Sequence, residues 1–223
     1  MKIKYLGHSC FVLTESTGTC VVTDPYDEKI GYEMPEVTAD AVTVSHKHYD
    51  HDNVKKVLGN PVVLDFETNL ELDGVEINSI KSFHDGARGK KRGENVIFKY
   101  RMDGIDVCHL GDLGEACSAD LIEMILPVNV LFIPVGGKYT IDAQMAKEYV
   151  ERIMPDVVIP MHYRTKSLKI NDIDKVDEFL DLFDEEYTEI EVSENSEIEF
   201  FRDDFDDGET TKILVLKRER KDA

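Results

Sequence analysis

Residues 45–53, Ser-His-Lys-His-Tyr-Asp-His-Asp-Asn, decide how the rest of the chain is read. They follow a hydrophobic run, ADAVTVSH (39–46), that reads as a strand ending abruptly in polar histidines. On an extended backbone, residues two apart project to the same side, so His46 and His48 can grip one cation. A helical turn begun at Tyr49 swings Asp50 and His51 towards a second cation close by. Imidazole and carboxylate together suit borderline divalent metals: zinc first, with manganese or iron as alternatives. The chain has only seven histidines, and three of them fall between positions 46 and 51 beside an aspartate. That density points to a metal site rather than to a solvated loop.

Two cations need more ligands, and they stand where other strands end. His84 closes EINSIKSF, Asp112 closes IDVCHLGD in a Gly-Asp turn, and His162 closes VVIPMH. Sheet edges hold metal geometry better than free loops do. Imidazole ligands are commonly oriented by a carboxylate behind them, and Asp24 in VVTDP is the candidate for that role.

The first half reads as short strands and turns: MKIKYLG, CFVLTES and TCVVTDP as an antiparallel meander, then PVVLDF, VEINSIKSF, NVIFKYRMDG and IDVCHLGD. Asp73-Gly74 and Asp103-Gly104 are hairpin turn signals. NVKKVLG suggests one or two helical turns closed by Gly59. Ser118 can cap a helix through SADLIEMIL, and Thr140 or Asp142 can cap one through AQMAKEYVERIM. NVLFIPV and VVIPMH read as buried strands, and DIDKVDEFLDLF as an amphipathic helix. With no linker or repeat, residues 1–223 form one α/β domain with helices covering sheets.

His-x-His-x-Asp-His followed by single His, Asp and His ligands resembles the metallo-β-lactamase superfamily. LGHSCF, HLGDLG, IPVGGKYTIDA and IPMHY look more specifically like the branch containing ascorbate-6-phosphate lactonase and related uncharacterised hydrolases. The resemblance implies a four-layered αββα sandwich with two divalent metals at one edge. Position by position it gives one metal to His46, His48 and His84, and the other to Asp50, His51 and His162, with Asp112 between them. It further implies hydrolysis of an ester, lactone or phosphodiester by a metal-bridged hydroxide, with Asp50 also steering a proton. Two cations roughly 3.5–4 Å apart would lower the pKa of a shared water towards about 7.

Other residues divide between chemistry and scaffolding. His8 in LGHSCF either lines the pocket or closes a turn through hydrogen bonds. His109 alternates away from Asp112 and reads as a supporting residue. Asp52 and Asn53 read as helix caps. Arg88, Lys90, Lys91 and Arg92 make a basic loop just beyond His84, which reads as a mobile, solvated hairpin or as an anion-capture element with Arg88 as its candidate substrate contact. Lys138, Tyr139, Tyr163 and Arg164 are the further candidate substrate contacts.

Composition narrows the partners. Against 26 basic residues stand 46 acidic ones, a formal net charge of −20, with the excess largely in the C-terminal third, around DIDKVDEFLDLFDEEYTEIEVSENSEIEF and DDFDD. Such a surface repels nucleic-acid phosphates and anionic lipid. It reads as a solvated face, with a partner-recruiting acidic tail as the alternative. No stretch approaches the roughly 20 apolar residues of a membrane span. Four scattered cysteines and a first segment that reads as a strand rather than a signal peptide indicate the cytoplasm. The expected partner is a small, anionic molecule, with a homo-oligomer open. Three other functions compete: ribonuclease or phosphodiesterase action on nucleic acid, which the charge opposes; di-iron redox chemistry; and metal-dependent binding without catalysis. The redox family carries a glutamate between the first two histidines and an attached flavin domain. Lys47 stands at that position here, and the chain leaves no room for that domain.

Overall fold

Alternating apolar segments at the amino end build the first sheet. In a computed structural model, which describes residues 1–184, 186, 188–205 and 210–219, β1 (Lys2–Gly7), β2 (Cys10–Thr14) and β3 (Cys20–Thr23) pair antiparallel. The chain then forms β4 (Val37–Thr38) outside this sheet and returns as β5 (Ala41–Thr43), parallel to β3. NVKKVLG is not helical as expected. It makes one 3-10 turn at Val54–Lys56 and then β6 (Val57–Leu58), which pairs with β4. Branching at Cβ of Val54 and Val57 disfavours helix and suits a strand. β7 (Val62–Leu64) joins β5 and closes the sheet on that side.

β8 (Asn69–Leu72), β9 (Val75–Phe83), β10 (Glu94–Met102) and β11 (Ile105–His109) form an antiparallel run in the second sheet. The β8–β9 and β10–β11 hairpins turn at the two Asp-Gly pairs, where Asp73 and Asp103 hold φ of 44° and 51°. Left-handed residues of this kind match the twist of the flanking strands. Parallel neighbours need longer crossovers, and these are supplied by α1 (Ala119–Ile125), leading to β12 (Val130–Pro134), and α2 (Ala143–Ile153), leading to β13 (Val157–Met161). The Leu121 N–H donates to Ser118 Oγ and the Met145 N–H to Asp142 Oδ1, so Asp142 rather than Thr140 caps α2.

The helix expected through DIDKVDEFLDLF shrinks to α3 (Asp177–Leu180), anchored by buried Phe179. Aspartate is a weak helix former. Like charges four apart, Asp174 with Glu178 and Asp177 with Asp181, oppose a longer helix. The acidic tail region yields three strands that composition concealed: β14 (Glu189–Val192), β15 (Glu197–Glu199) and β16 (Lys212–Val215). Glu199 and Glu197 stand in register with Lys2 and Lys4 of β1. Lys212 Nζ lies 2.8 Å from Glu189 and 2.6 Å from Glu191. Part of the acidic excess therefore lies on edge strands facing lysines, where charge also discourages edge-to-edge association. Glu185 and Tyr187 of the longer acidic stretch, and Asp206 and Asp207 of DDFDD, lie outside the described residues.

The strand orders are β15-β1-β2-β3-β5-β7 and β14-β16-β13-β12-β11-β10-β9-β8. Between the sheets Ile3, Phe11 and Leu13 meet Phe98, Phe132 and Ile159, and the Phe11 ring stacks on Phe132 at 4.1 Å. Each such side chain contributes roughly 1.5–3 kcal/mol by leaving water. On the outer face of the second sheet, Leu131, Ile133 and Val158 pack under Ile125 of α1 and Ala146, Tyr149 and Ile153 of α2. The outer face of the first sheet is covered differently: Tyr26, Ile30, Tyr32, Met34, Leu168 and Ile173 lie over Val12, Val22 and Val42. The result is the αββα sandwich, with irregular chain and a short 3-10 turn as the layer over its first sheet.

Candidate metal centre

Six strands end beneath one site. His8 follows β1, Asp24 follows β3, residues 45–51 follow β5, His84 follows β9, Asp112 lies just past β11, and His162 follows β13. The His46–His51 segment is neither extended nor helical. It is a chain of bends closed by the His51 N–H donating to the His48 carbonyl at 2.9 Å. That turn, rather than a helix begun at Tyr49, brings Asp50 and His51 back towards His46.

Two ligand groups result. One nitrogen each of His46, His48 and His84 lies within 4.8 Å of the others, and so do single ligand atoms of His8, Asp50, His51 and His162. Asp112 stands between the groups. Its Oδ2 is 3.8 Å from His46 Nε2, 3.5 Å from His84 Nε2 and 3.2 Å from His162 Nε2, while Oδ1 is 3.3 Å from His51 Nε2. The structure thus assembles all seven residues expected from the sequence, His48 being the least buried of them.

Asp24 sets the orientation of two imidazoles at once. Its Oδ2 accepts from His51 Nδ1 at 2.8 Å and from Ser45 Oγ at 2.6 Å, and its Oδ1 accepts from the Ser45 N–H at 2.7 Å. Ser45 Oγ, having donated, is an acceptor for His46 Nδ1 at 3.0 Å. Both rings therefore carry their proton on Nδ1 and turn an Nε2 lone pair inward, the arrangement a metal ligand needs. His46 Nε2, His51 Nε2 and Asp112 Oδ1 are buried with no hydrogen-bond partner among the described residues. Burial alone would push the Asp112 carboxyl up, but His162 and His51 hold it well below the usual range. Burial pushes His46 and His84 down, towards the neutral form. Burial would also lower His51, yet the carboxylates of Asp112 and Asp50 raise it strongly. The carboxylates thus favour positive charge beside His51, and the donor set fits divalent cations.

Several supporting residues were not legible beforehand. Buried Asn95 on β10 donates to Ser82 Oγ and the Leu110 carbonyl, and its Oδ1 accepts the Asp112 N–H at 2.9 Å. The only advance sign was an amide inside an apolar strand. His8, left between pocket and turn, is at the site: its Nε2 donates to Asp50 Oδ2 at 3.2 Å, and its ring is 4.2 Å from that of His162. His109 is a supporting residue, with Nε2 donating to the Ser9 carbonyl and Nδ1 accepting from the Gly111 N–H. Asp52 and Asn53 do not cap a helix: Asp52 pairs with Lys47, and Asn53 Nδ2 donates to the Tyr26 carbonyl.

The glycines of HLGDLG and IPVGGK leave room for ligand backbones. A Cβ on Gly114 would lie 2.5 Å from the His84 carbonyl carbon, and one on Gly136 would lie 2.1 Å from the His162 carbonyl oxygen. Backbone cannot rotate away as a side chain can. Gly136→Ala is therefore expected to displace His162, costing about 3 kcal/mol of stability and weakening metal retention. Thermal melting and metal analysis of the variant check this; a wild-type melting point with full metal content would contradict it.

A cleft of about 280 Å³ opens over the ligands, lined by His48, Tyr49, Asp50, His84, Arg92, Asp112, Tyr139, His162 and Ile170. A larger hollow of about 790 Å³, bordered by Asp156, Glu189, Glu199 and Asp204, holds none of the ligand histidines. Of the residues expected to contact substrate, Tyr139 lines the cleft, whereas Arg88, Lys138, Tyr163 and Arg164 do not. Tyr163, next to His162, points into a separate hollow beside Tyr5 and Tyr32. Arg164 donates to the Asn171 carbonyl, and the side chains of Lys138 and Arg88 are exposed.

From the basic loop it is Arg92 that reaches the cleft, because Asp85 curls residues 85–92 around its carboxylate. Asp85 Oδ1 accepts the N–H groups of Ala87 and Gly89, and Oδ2 those of Lys91 and Arg92. Burial tends to raise this carboxyl, and the four amides outweigh it and lower it. A folded value below the unfolded one, about 3.9, stabilises the loop fully above that pH and fades as pH falls further. Asp85→Asn is expected to speed amide hydrogen exchange at Ala87, Gly89, Lys91 and Arg92 by about tenfold near neutrality, as loss of a charge-assisted bond predicts. Unaltered exchange would refute this role.

The comparisons with known proteins agree with this fold. The Beta-lactamase superfamily domain model matches residues 2–162. A UPF0173 metal-dependent hydrolase of Methanospirillum hungatei is 31% identical over 192 residues, spanning 74% of this chain and 84% of that protein. The structure of a proposed Zn-dependent hydrolase of the metallo-β-lactamase superfamily from Thermotoga maritima aligns with a TM-score of 0.76 and 38% identity, over 97% of this chain and 99% of that one. At 18% identity and a TM-score of 0.56, CmlA, a diiron β-hydroxylase from Streptomyces venezuelae, shares the fold alone, over 72% of this chain and 44% of that one. With this family match over most of its length and a His/Asp cluster able to hold metal, the chain belongs to the metallo-β-lactamase superfamily and is a metal-dependent hydrolase.

Proposed function

We propose that the protein hydrolyses an ester, lactone or phosphodiester bond of a small anionic molecule at a centre for two divalent cations, zinc first. The placement of Asp112 between two histidine groups carries this reading. His46, His48 and His84 would hold one cation, Asp50, His51 and His162 the other, and Asp112 both. Bound there, such ions polarise a carbonyl or phosphoryl oxygen and ease deprotonation of water near neutrality. Asp50 lines the cleft and is the carboxylate assigned to take the proton of the attacking water. Its Oδ2 is steadied by His8 Nε2–H. Asp24, through His51 and through Ser45 to His46, keeps the inward nitrogens aimed without reorganisation during reaction.

The cleft volume favours a small substrate over a polymer, and the net charge of −20 disfavours nucleic acid. Among the described residues no helix is long and apolar enough to cross a membrane, and all four cysteines are free. The free thiols support work in the reducing cytoplasm. Metal analysis of the purified protein, followed by a screen of esters, lactones and phosphodiesters with the wild type and Asp112→Ala, tests the proposal. Two equivalents of metal and turnover that depends on Asp112 are expected; an intact metal-free enzyme would end it.

A further inference from the structure

We infer that Arg92, stacked on Tyr139 at the cleft mouth, is the specificity residue for a substrate bearing a carboxylate remote from the bond that is cut. The inference rests on the reading of this cleft as the substrate site. Among the described residues Arg92 is the only lysine or arginine in the cleft lining. Its guanidinium carbon lies 4.6 Å from the centre of the Tyr139 ring, and the Tyr139 hydroxyl donates to Asp172 Oδ2 at 2.5 Å. The one hydrogen bond recorded for its side chain among the described residues is a long one, from Nη2 to the Lys138 carbonyl at 3.4 Å. Its backbone N–H is fixed on Asp85. A held, stacked guanidinium with donors to spare is pre-organised to grip a planar oxyanion through two parallel N–H bonds.

Charge decides which oxyanion. The protein carries a formal net charge of −20, so an anion approaches against the long-range field. At the mouth a single guanidinium stacks on Tyr139, whose hydroxyl donates to the Asp172 carboxylate. One cation so placed compensates a monoanion and leaves a phosphate monoester, with close to two charges at neutral pH, undercompensated. A carboxylate also matches the planar fork. The expected substrate is thus an ester or lactone of a small carboxylic acid, with its free carboxylate on Arg92 and its reacting carbonyl over the ligand cluster.

The test separates this inference from the hydrolytic reading by measuring binding as well as turnover. Calorimetric titration of the metal-loaded protein with acetate, succinate, glutarate and adipate distinguishes anions that reach only the metal ligands from those that also reach Arg92. One member of the dicarboxylate series is expected to bind at least tenfold tighter than acetate. Arg92→Gln should abolish that advantage. Arg92→Lys, which keeps the charge without the fork, should retain part of it, and Tyr139→Phe, which frees the ring from Asp172, should lower it by a few-fold. In parallel, the ratio of kcat/KM for mono-aryl esters of the same diacids to that for aryl acetate should fall at least tenfold in Arg92→Gln. A dicarboxylate preference lost in Arg92→Gln without turnover by the wild type would support the Arg92 site and sink the reading of the centre as an esterase. Turnover with equal dicarboxylate binding in wild type and Arg92→Gln, or tighter binding of the matching phosphate monoester than of the carboxylate, would overturn the inference.

Discussion

Asp112→Ala is expected to lower kcat/KM by about 10³-fold, or about 4 kcal/mol, on whichever ester, lactone or phosphodiester the wild type cleaves. The magnitude follows from where the carboxylate sits. Its two oxygens are within 3.2–3.8 Å of four imidazole nitrogens drawn from both ligand groups, and it is almost wholly buried. In the proposed two-cation centre alanine would remove the shared anion and leave the cations facing each other unscreened, so metal content should fall to one equivalent or less. The loss should appear in kcat together with kcat/KM, since the role is in the reacting centre rather than in substrate capture. Asp112→Asn keeps the volume and leaves the residue-112 N–H donating to Asn95 Oδ1, so it separates loss of charge from loss of packing. Full metal content with wild-type rates in both variants would remove Asp112 from the centre.

The second large effect is expected at Asp24, which touches no substrate. Asp24→Ala strips three donors of their acceptor in the interior: the Ser45 N–H, Ser45 Oγ and His51 Nδ1. Breaking a buried charged network by removing one partner costs about 3–5 kcal/mol, so a sharply lowered melting temperature is expected. Asp24→Asn is more informative because it should fold. An asparagine offers one carbonyl oxygen and one amide nitrogen in place of two acceptors. If its oxygen keeps the Ser45 N–H, its amide faces His51 Nδ1, which must then accept. The His51 proton moves to Nε2, the atom that faces the centre. Metal affinity should fall about 10–100-fold, as expected for a residue that orients ligands, with the fold retained. Metal titration against a competing chelator measures it. Unchanged affinity in Asp24→Asn would show that the tautomer of His51 is set elsewhere.

Legibility in the sequence followed periodicity and spacing. The ligands could be read because each follows an apolar run, and a strand end fixes where a side chain lies. The same reading failed on mechanism at residues 46–51: two-residue spacing suggested an extended chain, while a turn closed by His51 N–H on His48 does the gathering. The substrate-facing residues were harder, since loops have no period. Arg88 and Arg92 are equivalent as sequence, and only the four amides on Asp85 decide that Arg92 reaches the cleft. Tyr163 lies beside a ligand yet faces another hollow, past a bend at His162 where φ is 53°. The C-terminal strands were hidden because glutamates that oppose lysines on sheet edges have the same composition as a solvated acidic tail.

The ligand residues belong to both sheets: His46, His48, Asp50 and His51 stand on the first, and His84, Asp112 and His162 on the second. An ion held between them is then a rivet through the laminate as well as a reagent. Any species bound to the folded chain alone stabilises it by mass action, about 2.7 kcal/mol when free ligand is at 100 times Kd. The cohesion of the sandwich at that edge would accordingly track the free metal around it. Scarcity would reach the protein twice, once through its chemistry and once through the lifetime of its fold.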